Sequence, residues 1–207
     1  MSRSSRFLLG GAGIAAPLFL VLWAAQAFTR VGFRPTFHPM SLLSLGEMGW
    51  VQIANFIITG LLVIGGSVGL RRTLEDGRLT RWVTALIATM GIGLVLTGLF
   101  PTDAGAGFPA GAPAGAPVMS WHGAAHETGF LVTQLAFIVA GILLAIRFGR
   151  SRQRGWMLTC VAAVVSAVLI AALGAPETLA IRLVTSSAIE LGLISTLAIG
   201  SLMQRLR

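Results

Sequence analysis

Apolar residues in this chain come in long runs rather than in alternation. Six runs stand out, at 7–29, 50–70, 82–100, 122–146, 156–174 and 183–203. Each is near the roughly 20 residues that a helix needs to cross a hydrocarbon core. Backbone in lipid must satisfy its own hydrogen bonds, so such runs predict helices rather than isolated strands. The expected fold is all-α: a six-helix transmembrane bundle forming a single integral membrane domain over 1–207. Ser2–Arg6, an apolar stretch and Ala25-Gln26-Ala27 share the layout of a secretory signal with an A-x-A site. The stretch is long for a signal, which favours an uncleaved first helix. Cleavage would leave five helices.

Polar residues inside these runs gather toward one end. Helix two carries Gln52, Asn55 and Thr59 at i, i+3 and i+7, on one helical face. Helix four carries His122, His126, Thr133 and Gln134. Gln26, Thr97, Asp103, Ser186, Ser187 and Glu190 fall at the same end of their own segments. The other halves are Leu, Val, Ile, Ala and Gly. This predicts an outward-facing polar cavity above a dry floor, where Gly60, Gly65, Gly66, Gly91, Gly93, Gly141 and Gly192 let helices approach closely. Glu190 stands roughly 10 Å into its helix at about 1.5 Å per residue. An ionised carboxylate there costs about 2.5 kcal/mol or more. It is expected to face the bundle interior, with Ser186 or Gln52 as partners, or to serve as a ligand-binding or proton-binding acid.

Two connections are long, Arg30–Gly49 and Pro101–Ser120. The second is rich in Gly, Ala and Pro and predicts irregular backbone, either a lid or a mobile segment. Phe56–Leu62 resembles Phe137–Leu143, and each is followed by an Arg-rich loop and a Trp. A parallel repeat of hairpins 2–3 and 4–5 would account for this.

Composition agrees with a membrane chain: 55% hydrophobic and 11% charged, with mean hydropathy +0.85. The net charge of +8 raises nucleic acid as a partner, but the distribution excludes it. Every basic residue is Arg, and they sit in short connections. Arg3, Arg6, Arg71, Arg72, Arg78, Arg81, Arg147, Arg150, Arg152, Arg154, Arg205 and Arg207 share one side of an even-numbered topology. Only Arg30, Arg34 and Arg182 fall on the other. The positive-inside rule then places both termini in the cytoplasm, with the basic loops near anionic lipid. Trp50, Trp82, Trp121 and Trp156 fall at helix ends, as an aromatic belt requires. The single Cys160 rules out an internal disulfide.

His122 and His126 share a helix face, with Cβ atoms about 6 Å apart. That spacing suits two ligands of one Zn²⁺, with Asp103, His38, Glu47 or Glu127 as a further ligand. Glu127 points about 100° away from His126, which makes it the least natural of these. No Glu lies between the histidines, so the zinc-protease motif is absent. The same pair also fits a polar ligand site, or histidines bonded to a loop at a helix start.

Three stretches carry a resemblance. S-L-x-x-L-G-E-M-G-W at 41–50, G-L-F-P-T-D at 98–103 and H-G-A-A-H at 122–126 are similar to the DUF998 family. The likeness spans roughly 11–202. It implies about six helices in a prokaryotic cytoplasmic membrane and shared polar positions at one face, and it carries over no reaction. A looser likeness, in residue types alone, links Asp103, His122 and His126 to the alkaline ceramidase superfamily, whose members hold zinc in a seven-helix bundle.

Three functions follow as expectations. The first is binding of a lipid head group or small polar ligand by Asp103, His122, His126, Glu190, Gln52 and Asn55. The second is a zinc-dependent hydrolase of a lipid or amphiphile, with Asp103, His122 and His126 on the metal and a bound water attacking an ester or amide. The third is a structural subunit, partnered by membrane lipids, a second copy or another membrane protein.

Overall fold

A computed structural model describes residues 1–203; Arg205 and Arg207 lie outside the described residues. The described residues form seven α-helices in chain order: α1 (Arg3–Gly13), α2 (Ala15–Thr29), α3 (Gly49–Thr73), α4 (Arg78–Leu99), α5 (Trp121–Arg150), α6 (Arg154–Ala172) and α7 (Leu179–Leu202). Among the described residues, six stretches are long and apolar enough to cross a membrane, α1 and α2 counting together as Arg3–Thr29. No strand occurs among the described residues. The chain is an all-α, multi-pass membrane protein.

The first span is not the continuous helix that its sequence predicts. It breaks at Ile14, between α1 and α2. Pro17 has no N–H for the carbonyl one turn earlier, which weakens the ladder here. Ser195 of α7 then enters the gap. Its hydroxyl donates to Ala12 O at 2.9 Å and accepts from Ala16 N at 3.1 Å, joining two groups that would otherwise bond to each other. A side chain inserted into the i to i−4 ladder is a known cause of such a break.

The spans form a ring in chain order. α3 packs on α4, α4 on α5, α5 on α6, α6 on α7, and α7 returns to α1 and α2; α3 and α7 also touch. Two crossings depend on glycine. A Cβ on Gly60 would lie 2.6 Å from Gly91 O, and one on Gly93 would lie 2.6 Å from Gly129 O. Any side chain there would push α3 from α4, or α4 from α5. Gly192, expected to act likewise, has nothing near it. α6 is peripheral, burying only Cys160 and Ala167.

The two long connections pack on each other over one end of the ring. Phe33, Leu42, Leu43 and Phe108 form a small core of their own with Ala27. Arg30 reaches across to donate to the carbonyls of Leu43 and Leu45. His38 ties the connections together: it accepts from Arg34 N at 2.9 Å through Nδ1, so Nε2 carries the proton, which it donates to Ala106 O at 3.1 Å. The Pro101–Ser120 segment has irregular backbone, and it takes the lid position rather than standing free.

Candidate functional site

Beneath this lid lies a cavity of about 290 Å³. Its walls come from α2 (Phe19), α3 (Phe56), α4 (Met90, Leu94), α5 (Phe130) and α7 (Leu183, Leu191), with Met40 and Leu42 from the lid. Its polar residues are Asp103, His126, Glu127, Gln134 and Glu190, together with five that carry hydroxyls. No α6 residue lines it.

The FPTD and SWHGAAH stretches meet at its edge as a reciprocal clasp between α4 and α5. The last carbonyls of a helix have no partner inside it. Here histidines supply them. His126 Nδ1 lies 3.0 Å from Thr97 O and 2.9 Å from Phe100 O, and His122 Nδ1 lies 2.9 Å from Pro101 O. A carbonyl only accepts, so Nδ1 is the protonated nitrogen in both rings. In return, Asp103 serves the start of α5: its Oδ2 accepts from Ser120 N at 2.8 Å, while Ser120 Oγ caps Gly123 N at 3.0 Å. The backbone N–H of Ser120, and then its hydroxyl, hold the Asp103 carboxyl below the usual carboxylate range. Trp121 packs edge-on against Phe100 and His122.

The proposed metal donors are accordingly arranged as follows. His122 Nε2 lies 3.7 Å from Asp103 Oδ1, an ionic contact when the ring carries both protons. His126 is 3% exposed and lines the cavity. Its Nε2 is the ring edge remote from the α4 carbonyls. Among the described residues no three His, Cys, Asp or Glu side chains are grouped to hold a metal ion. The donor set therefore lacks a third convergent ligand. His38 is occupied in the lid and Glu47 is exposed on it.

Of the other expected site residues, Glu190 lines the cavity and is 4% exposed. Its polar neighbour is Gln134 of α5, rather than Ser186 or Gln52. Ser186 instead donates to Ala167 O. Gln52 and Asn55 do not line the cavity. They are wholly buried behind its Phe19–Phe56 wall, where Gln52 Oε1 accepts from Gln26 at 2.8 Å and Asn55 Nδ2 donates to Phe19 O at 3.1 Å. They brace α2 against α3.

Phe130 escapes a reading by residue type, although it continues the His126 face at i+4, a periodicity that could have found it; Gln134, one of the polar residues expected to line a cavity, follows at i+8. Glu127 also lines the cavity, although its angle had set it aside as a partner of His126. No curated protein and no solved structure matches the chain. The clasp, the lid and the cavity all fall within residues 13–204, over which the chain matches "Protein of unknown function (DUF998)", and it belongs to that family.

Proposed function

We propose that this membrane protein binds a single-chain amphiphile in the cavity beneath the lid. The observation that carries this reading is the lining: a largely apolar wall around about 290 Å³ whose charged, imidazole and amide groups are Asp103, His126, Glu127, Gln134 and Glu190. Ligand sites are typically apolar with a small number of placed polar groups, and this volume is at the lower end of their range. A small polar solute would leave the Phe19, Phe56 and Phe130 walls unused, whereas a chain covers them. Glu127 and Leu179 are exposed residues of the lining, from α5 and α7, and they offer an entry from the bilayer side.

The test is saturable binding of dodecyl-chain amphiphiles to the protein in phosphatidylcholine nanodiscs, measured by calorimetry. Ser187→Trp places a large side chain in the cavity and should abolish the saturable component while the protein stays folded. If no head group gives saturable binding that this substitution removes, the reading is wrong.

A further inference from the structure

We infer that the amphiphile this cavity accepts is a long-chain primary amine, held as its ammonium ion. The inference rests on the amphiphile reading above and names its head group.

Charge is the first argument. The titratable residues of the lining are Asp103, His126, Glu127 and Glu190. Among the described residues no Arg lines it, and the chain contains no Lys. A sulfate, phosphate or carboxylate head would face three carboxyl groups with no cation to meet it. Low dielectric strengthens that repulsion. An ammonium meets those same groups as counter-ions. Glu190 gains most, because a carboxylate so deep in a bundle needs a partner and Gln134 supplies only a neutral one.

Hydrogen-bond polarity is the second and independent argument. Of the polar atoms around the cavity, several can only accept, and the hydroxyls of Ser41, Thr102 and Ser187 can accept as well as donate. His126 has its Nδ1 proton committed to Thr97 O and Phe100 O, so in the neutral ring Nε2 presents a lone pair and no donor. The residue is 3% exposed, and among the described residues its hydrogen bonds are those of Nδ1. Gln134 Oε1 is buried without a partner. The carboxyls of Glu127 and Glu190 add further acceptor oxygens. The missing element is a head group bearing several N–H donors on one centre. A primary ammonium has three; a quaternary ammonium has none, and a hydroxyl has one.

The walls complete the fit. Phe19, Phe56 and Phe130 give a chain its apolar contact, and a ring face beside a desolvated cation is itself attractive. A primary amine resembles the lysine side chain and stays protonated at neutral pH.

The experiment titrates dodecylamine, dodecyltrimethylammonium, dodecanol and dodecyl sulfate into the protein in phosphatidylcholine nanodiscs. The component lost in Ser187→Trp is scored. Dodecylamine should bind at least about tenfold tighter than each of the other three, a difference of about 1.4 kcal/mol. Glu190→Gln should remove that margin. Should Glu190→Gln fail to fold, Glu127→Gln at the exposed rim should lower amine affinity about threefold or more. Equal or tighter binding of dodecanol or dodecyl sulfate overturns the amine and leaves the amphiphile reading standing. Equal binding of dodecyltrimethylammonium overturns the donor argument, and with it the primary amine. Saturable binding by none of the four removes both readings.

Discussion

Gly123 and Asp103 are in direct contact across the α4–α5 junction: a Cβ built on Gly123 would collide with the Asp103 carboxylate. The absence of a side chain at 123 is what lets the carboxylate reach Ser120 N at 2.8 Å. Gly123→Ala should therefore overpack the clasp, at about 1–3 kcal/mol. Denaturant unfolding in maltoside micelles measures it. Gly123→Ala in an Asp103→Ala background should cost clearly less than in the parent, since the collision partner is gone. Strict additivity of the two changes would show that the contact is not the cause.

His126 holds two α4 carbonyls with one ring edge and borders the cavity with the other. Removing the ring's donor leaves Thr97 O and Phe100 O buried without it, at about 1–3 kcal/mol. His126→Phe keeps the bulk and loses the donor, so it should unfold earlier by that margin. His126→Asn, whose amide N–H₂ can replace Nδ1–H, should recover part of the loss. Equal destabilisation by both would place the cost in packing instead.

The six spans are visible in composition alone, because hydrocarbon permits few alternatives to a helix. Their internal geometry is less visible, since it depends on partners far apart in the chain. Ser195 breaks the first span only because α7 returns beside α1. Gln52 and Asn55 have the same spacing as a cavity-lining stripe, yet their face turns to Gln26 and Phe19 of α2. The histidines were legible as a pair on one face. Their use as donors to α4 carbonyls was not, because i, i+4 spacing suits a metal, a ligand and a helix end equally. Glu190 read correctly as facing inward, but its partner Gln134 depends on how α5 and α7 face the same cavity.

The lid should loosen in mild acid. His38 receives the Arg34 N–H on Nδ1, so protonating that nitrogen sets two donors face to face. Burial, followed by the Arg34 charge, lowers the His38 pKa from its ordinary 6.5, against the opposing pull of the Ala106 carbonyl. An opened lid takes up that proton at the ordinary value, whereas the closed lid resists it until lower pH. The stabilisation is thus complete above about pH 6.5 and is lost as pH falls toward the lower closed-state value. Amide hydrogen exchange over residues 30–48, corrected for intrinsic rates, should be several-fold faster at about pH 5 than at about pH 7.5. His38→Gln should flatten that dependence. If the same dependence survives in the variant, another group controls the lid.

Charge asymmetry sets an expected orientation, and the hydrogen bonds sharpen it. At the lid end, Arg30 is bound to the Leu43 and Leu45 carbonyls, and Arg182 to those of Ala171 and Ala175. At the opposite end, Arg71 and Asp76 form the one Arg–carboxylate ion pair among the described residues. Arg78, Arg81, Arg150, Arg152 and Arg154 are exposed there. The positive-inside rule then predicts that the lid end lies outside the cytoplasm. A Cys160→Ala parent leaves no thiol, and one cysteine can be added at Asp76 or at Ala114, both exposed. A membrane-impermeant maleimide applied to intact cells should label position 114 and not position 76, with both labelled after lysis. Labelling of position 76 in intact cells would reverse the assignment.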